Sequence, residues 1–189
     1  MGSDRGDLEA RLQQVEDRLR VVEDERDIAR LIATYGPSVD AADAVAAAAL
    51  WSADGVYDVE GLRMSGRDEI AAMVRSGGHR RLVDNGCAHF LGPAVVTVRG
   101  DDAVALCESL VVLRAAHGYA ERESGATGEQ LPAPGYVVWR AAANHFRLRR
   151  IDGRWQVIER TSRVLDGNAH AHELLRAGIA GESVRAEPT

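Results

Sequence analysis

Four long apolar runs occupy the second half of this chain, and short turn signals separate them. They cover residues 87–99, 103–116, 136–151 and 154–165. Gly100-Asp101-Asp102 and Asp152-Gly153 fall between consecutive runs, where hairpin turns need residues that tolerate positive φ. The runs therefore read as long strands of one antiparallel sheet. Gly92-Pro93 divides the first, because proline cannot donate to a strand ladder. Residues 117–135 hold four glycines and two prolines. A loop this long inside a compact domain is often functional, and a lid over a pocket is one such use.

The first half has helical spacing. Residues 1–7 are polar and read as an unstructured start. Leu8, Leu12, Val15, Leu19 and Val22 then step by four, three, four and three, the seam of a coiled coil. Two readings of this seam stand level: contact with a second copy, or packing on the chain's own surface. The helix continues through Ile28, Leu31, Ile32 and Tyr35 and is expected to stop before Pro37. An alanine-rich helix fits 43–51, followed by a turn at Asp54-Gly55 and a short strand at 56–59. Ser65 is placed to cap a helix through Ile70, Met73 and Val74. Residues 170–179 fit a short closing helix. Helices followed by long antiparallel strands make an α+β plan. The expected organisation is a helical extension over 1–24, a main domain over 25–167, and a short helix with a tail over 168–189. A curved sheet with helices across its concave face would enclose a pocket lined by both.

Composition narrows the chemistry. All 23 basic residues are arginine. Without lysine there is no Schiff-base nucleophile, no pyridoxal phosphate linkage and no P-loop. A net charge of −6 argues against nucleic acid or an anionic membrane as partner. No apolar run is long enough to span a bilayer, and the polar start is not a signal peptide. Cys87 and Cys107 lack metal-ligand spacing and read as reduced thiols of a cytoplasmic protein. No cofactor and no metal are expected. His170-Ala171-His172-Glu173 would point its ligands apart on a helix.

The chemistry gathers at one pair. His89 lies in the apolar passage Cys87-Ala88-His89-Phe90-Leu91-Gly92-Pro93, and Asp40 lies far upstream, in the helical half. A histidine held by a carboxylate is a general base of fixed tautomer. A core histidine bonded to a backbone carbonyl is the plainer alternative. Glu108 and Glu159 fall in apolar strands, where each is either a buried acid or a partner for Arg160 or Arg163. Trp51, Trp139 and Trp155 read as core or interface packing.

Four passages carry a resemblance. Tyr35 precedes Asp40, with Trp51 eleven residues after Asp40. The others are Cys87-Ala88-His89-Phe90-Leu91-Gly92, Ala143-Asn144-His145, and Arg149-Arg150-Ile151-Asp152-Gly153-Arg154-Trp155. Over residues 25–166 the chain resembles the SnoaL-like group of the NTF2-like cone fold, which holds scytalone dehydratase, a bile-acid dehydratase and a dehydrochlorinase. The resemblance implies an Asp40–His89 pair in which His89 abstracts a proton beside an electron-withdrawing group. Tyr35 resembles a substrate-polarising tyrosine, or fills the core. Asn144 matches a substrate-binding asparagine. Arg147 lies near where relatives carry a pocket arginine, although strand alternation sets it opposite to Asn144.

Departures from scytalone dehydratase are visible too. The serine two residues before its asparagine is Ala142 here. Its second histidine would fall near Arg114. Tyr57 is the nearest match to its water-orienting tyrosines, with Val59 at the literal spacing. The implied activity is a cofactor-independent lyase or isomerase step on a hydrophobic oxygenated small molecule, such as a polyketide or steroid-like ring, in a homodimer or higher assembly. The same fold also hosts non-catalytic binding proteins and the β subunits of ring-hydroxylating dioxygenases, and both stay open.

Overall fold

Helix α1 (Gly2–Asp40) is the longest element of the computed structural model, which describes residues 2–115 and 135–184, with side chains from residue 5. The polar start is not unstructured from Gly2 on. It extends the helix, where Arg5 and Glu9 pair one turn apart. Nor does the helix stop before Pro37. Proline removes the N–H that would bond the Ala33 carbonyl, but Ala33 and Pro37 lie on the exposed face, where water can serve that carbonyl. Ile28, Ile32, Tyr35 and Val39 are buried on the other face and hold the last turns in place.

Asp43 caps α2 (Ala44–Ala49) by accepting from the Ala46 N–H at 2.9 Å. The helix ends earlier than expected, because Trp51 opens β1 (Trp51–Val59). Asp54-Gly55 is therefore not a turn. It lies inside β1, where the register against the last strand shifts between Trp51 and Val56. A side chain at Gly55 would meet the Val157 carbonyl at 2.8 Å, so the close approach of two strands explains that glycine. Glu60 and Gly61 turn the chain into β2 (Leu62–Ser65), a strand of four residues, too short to show a pattern. Helix α3 (Gly66–Arg75) follows Ser65, whose side chain makes no cap. Glu69 reaches back instead and accepts the Ser65 N–H at 2.8 Å. Helix α4 (Gly77–Asp84) was hidden by its opening glycine pair, and Ser76 caps it through the His79 N–H.

The strands follow as β3 (Cys87–Leu91), β4 (Val95–Arg99), β5 (Asp102–Arg114), β6 (Tyr136–Ile151) and β7 (Arg154–Val164). Helix α5 (Ala169–Ala180) closes the described chain. The lid reading of 117–135 lies, except for Gly135, outside the described residues. The curved, open sheet has the order β2-β1-β7-β6-β5-β3, with β4 also on β5. All pairs are antiparallel except β1 with β7. β3 and β4 share one edge of β5, and the Gly92 N–H bonds the Glu108 carbonyl between them at 2.8 Å. Helices α1, α2 and α3 cover one face of the sheet, over Ala103, Ala105, Cys107, Phe146 and Leu148. Helix α5 covers the other, with Ala171 and Leu174 against Ala143. Among the described residues no helix is long and apolar enough to cross a membrane.

The expected boundary at 24/25 falls inside α1, which runs across it unbroken. Described residues 5 to 23 are all exposed, and Asp24 is the first buried one. Among the described residues none covers the seam from Leu8 to Val22. Asp24 ties the helix to the sheet: Arg150 Nη2 donates to its Oδ2 at 2.6 Å and Trp155 Nε1 to its Oδ1 at 3.1 Å. Burial pushes this carboxyl up, but those two bonds and the charges of Arg150 and Arg20 outweigh it, and the net shift is down. The stabilisation is therefore complete above the ordinary aspartate value of 3.8 and is lost as pH falls through the lower folded value. Asp24→Asn should cost about 1–3 kcal/mol at pH 7. Urea unfolding should show that deficit shrinking below pH 4, on the order of the unperturbed carboxylate range.

Candidate active site

Asp40 ends α1 and His89 sits mid-strand in β3, and a glycine brings them together. A Cβ at Gly36 would lie 2.2 Å from the His89 carbonyl oxygen, so only glycine lets the helix approach the strand this closely. The Asp40 carboxylate then accepts twice from one residue. His89 Nδ1 lies 2.6 Å from Oδ1, and the His89 backbone N–H donates to Oδ2 at 2.8 Å. An ionised carboxylate only accepts, so Nδ1 carries a proton, and in the neutral imidazole Nε2 then keeps its lone pair.

His89 lines a cavity of about 200 Å³ between the helices and the sheet. Met64, Met73, Leu91 and Val111 supply apolar wall, and the exposed residues Leu62 and Trp139 stand where it meets the surface. Tyr35 and Tyr57 both line it, with hydroxyls 3.5 Å apart. Burial, then the neighbouring Tyr57, raise the Tyr35 phenol well above the ordinary tyrosine range, so it stays a donor.

Three lining residues escaped the sequence reading. Arg160 is only 3% exposed, with its guanidinium carbon 4.2 Å from the Tyr35 ring centre and 4.6 Å from that of Tyr57. Its Nη1 is buried without a hydrogen-bond partner. His79, from α4, stacks on His89 with ring centres 5.9 Å apart. Its Nδ1 bonds the Val74 carbonyl at 3.2 Å and its Nε2 is buried and unpartnered. Burial, then the nearby His89, lower its pKa and keep it neutral. Ser109 is the third. It lies directly across from Ala142 in the β5–β6 register, so the hydroxyl arrives from the neighbouring strand.

Asn144 and Arg147 do not line the cavity. Asn144 lies directly behind it, fully buried. Its Oδ1 accepts from Arg160 Nε at 3.1 Å and Nη2 at 2.7 Å, and its Nδ2 donates to Ser109 at 2.8 Å. It touches the cavity only through those two residues. Arg147 points to the other side of the sheet, as strand alternation requires, and pairs with Glu159. Neither Arg160 nor Arg163 is that glutamate's ion-pair partner: Arg163 forks onto the buried Asp58. Glu108 is exposed. Trp51 and Trp155 are buried, whereas Trp139 is exposed.

Asp40, Cys87 and His89 bring three possible metal donors within 4.8 Å of one another. A cation there would displace the Nδ1 proton and break the Nδ1–Oδ1 bond, and it would need a thiolate from Cys87, whose pKa burial raises. The hydrogen-bonded pair satisfies these donors better. Burial also holds the Cys107 thiol up at about 11. His170, His172 and Glu173 are exposed on α5.

The SnoaL-like domain model matches residues 20–161. The chain belongs to the SnoaL-like family. An NTF2-like protein of cystatin-like fold from Novosphingobium aromaticivorans is 41% identical, with 87% of this chain and 96% of that one covered and a TM-score of 0.75. A hexachlorocyclohexane dehydrochlorinase from Novosphingobium barchaimii shares the fold at 17% identity, over 78% of this chain and 90% of that one, with a TM-score of 0.61. A protein assigned as a scytalone dehydratase, from Novosphingobium aromaticivorans, does so at 20% identity, over 77% and 85%, with a TM-score of 0.56. No curated protein matches the chain. The SnoaL-like match and the NTF2-like relative agree with the expected NTF2-like cone.

Proposed function

We propose that this cavity binds a hydrophobic, oxygenated ring compound of the polyketide or steroid-like class, and that His89 removes a proton from a carbon beside its carbonyl. The observation that carries the reading is the Asp40–His89 pair on a small, apolar cavity that also holds Arg160. His89 Nε2 takes the proton, and Asp40 fixes the tautomer and stabilises the imidazolium. The electron pair moves onto the carbonyl oxygen, where the hydroxyls of Tyr35 or Tyr57 and the free N–H of Arg160 offer donors. In the elimination branch the C–O bond at the β-carbon breaks, the departing hydroxyl takes the proton back from His89, and water leaves. In the isomerase branch the same proton returns to a different carbon. A dehydratase assignment and a dehydrochlorinase among proteins of the same fold lend direction to the elimination branch. No step needs a cofactor. Two buried free thiols fit a reducing cytoplasm.

The test uses 3-hydroxy-1-tetralone as probe, in deuterated water. Deuterium entering the carbon beside the carbonyl faster than in buffer, with 1-naphthol as the elimination product, is the expected result. A probe that raises the melting temperature but exchanges no faster than in buffer would leave a binding protein. The apolar cavity alone would account for that outcome.

A further inference from the structure

We infer that residues 8–22 of α1 pair with the same residues of a second copy of this chain as a parallel coiled coil. Leu8, Leu12, Val15, Leu19 and Val22 form one apolar stripe, and each is more than half exposed. The stripe is carried by a helix whose other end is held in the domain by Ile28, Ile32, Tyr35 and Val39. Helix nucleation is thus already met by the domain, and a short seam suffices to propagate pairing.

The flanking charges select both the occupant and the direction. With Leu12 and Leu19 at the a positions and Leu8, Val15 and Val22 at d, the g positions are Arg11 and Arg18. The e positions are Glu9, Glu16 and Glu23. In a parallel pair each g faces the following e of the partner. Arg11 then meets Glu16 of the second copy and Arg18 meets Glu23. In an antiparallel pair g faces g and e faces e, which would set arginine against arginine and glutamate against glutamate. Arg11, Arg18, Glu16 and Glu23 enter none of the ion pairs among the described residues. The pairs on this stretch are Arg5–Glu9, Asp17–Arg20 and Arg26–Asp27. Asp24, the anchor to Arg150 and Trp155, falls at f, the position opposite the seam. The domain therefore hangs on the outer side of the helix and leaves the seam open. A parallel pair sets both domains at the same end of the coil.

The test uses the full chain and reads mass by sedimentation over a concentration series. The wild type is expected to go from monomer to dimer as concentration rises. Reversing the g positions (R11E with R18E) or the e positions (E16R with E23R) should weaken the dimer by about tenfold or more, because each places like charges across the seam. Mixing the two variants should restore it. Leu8→Cys should form a disulfide-linked dimer on oxidation only if the chains run parallel, since an antiparallel pair sets position 8 beside position 22. Cys87 and Cys107 are buried and give little background. Circular dichroism keeps a folding defect apart from a pairing defect. A wild type that stays monomeric overturns the inference. So does a dimer that survives both charge reversals and leaves L8C unlinked.

Discussion

His89→Gln is expected to lower proton exchange on the tetralone probe by about 10²–10⁴-fold, the usual contribution of a positioned base. Affinity should stay within about tenfold, because base catalysis acts on the transition state and not on ground-state binding. Glutamine keeps a polar group near the Asp40 carboxylate, so the fold has little reason to change. Asp40→Asn is expected to be milder and still severe. It leaves the imidazole in place but removes the acceptor that fixes its proton on Nδ1. The asparagine amide can also turn its N–H₂ toward Nδ1, which would drive the proton to Nε2 and leave the wrong nitrogen facing the cavity. The pair therefore predicts an ordering as well as a loss. Thermal melting separates this from unfolding, since truncating a buried polar pair can cost about 1–3 kcal/mol by itself. A folded His89→Gln protein with full exchange activity would end the mechanism. A His89→Gln protein that loses ligand affinity, beside a wild type that never exchanges, would favour the binding-protein reading.

The strands were legible because they are written in local pattern, and the pair because the passages around it resemble the SnoaL-like group. Period-two apolar runs between Gly-Asp turns located β5, β6 and β7 to within two residues at each end. His89 was visible as a histidine inside such a run, whereas Asp40 lay beyond the expected helix end at Pro37 and joined it through the resemblance to the SnoaL-like group. What stayed hidden depends on tertiary register. Ser109 reaches the cavity beside Ala142 because β5 and β6 set the two residues directly opposite. His79 reaches the cavity from a helix that opens on two glycines. Arg160 was visible only as a cation beside acidic strand residues. That it faces rings instead follows from Glu159 pairing with Arg147 on the other side of the sheet. Pro37 misled the helix boundary because its local cost is offset by tertiary packing: Ile32, Tyr35 and Val39 are buried on the opposite face, and the freed Ala33 carbonyl faces water.

Arg160→Met should separate stability from function. The guanidinium is buried among Tyr35, Tyr57 and Phe146, and its Nε and Nη2 are held by Asn144. Among the described residues no ion pair includes it, and its Nη1 has no partner. Burying a cation without a carboxylate is costly, and an apolar residue of similar length removes that cost. It also leaves the buried Asn144 Oδ1 without its two donors, which costs about 1–3 kcal/mol. The two effects oppose each other, so Arg160→Met is expected to stay folded and to melt close to wild type. Its exchange rate should nevertheless fall by about 10²–10³-fold, the range seen when one donor to a developing oxyanion is removed. Arg160→Lys should not rescue, because one ammonium cannot hold the Asn144 oxygen with two donors and also present a third to the ligand. Asn144→Ala tests the same idea from behind. It leaves the cavity wall in place but frees the guanidinium to move, so turnover should fall more than affinity. If Asn144 instead held the ligand itself, affinity would fall with it. A Met variant that loses stability and activity together would reduce Arg160 to a structural residue, and would leave the enolate oxygen to the two tyrosines alone.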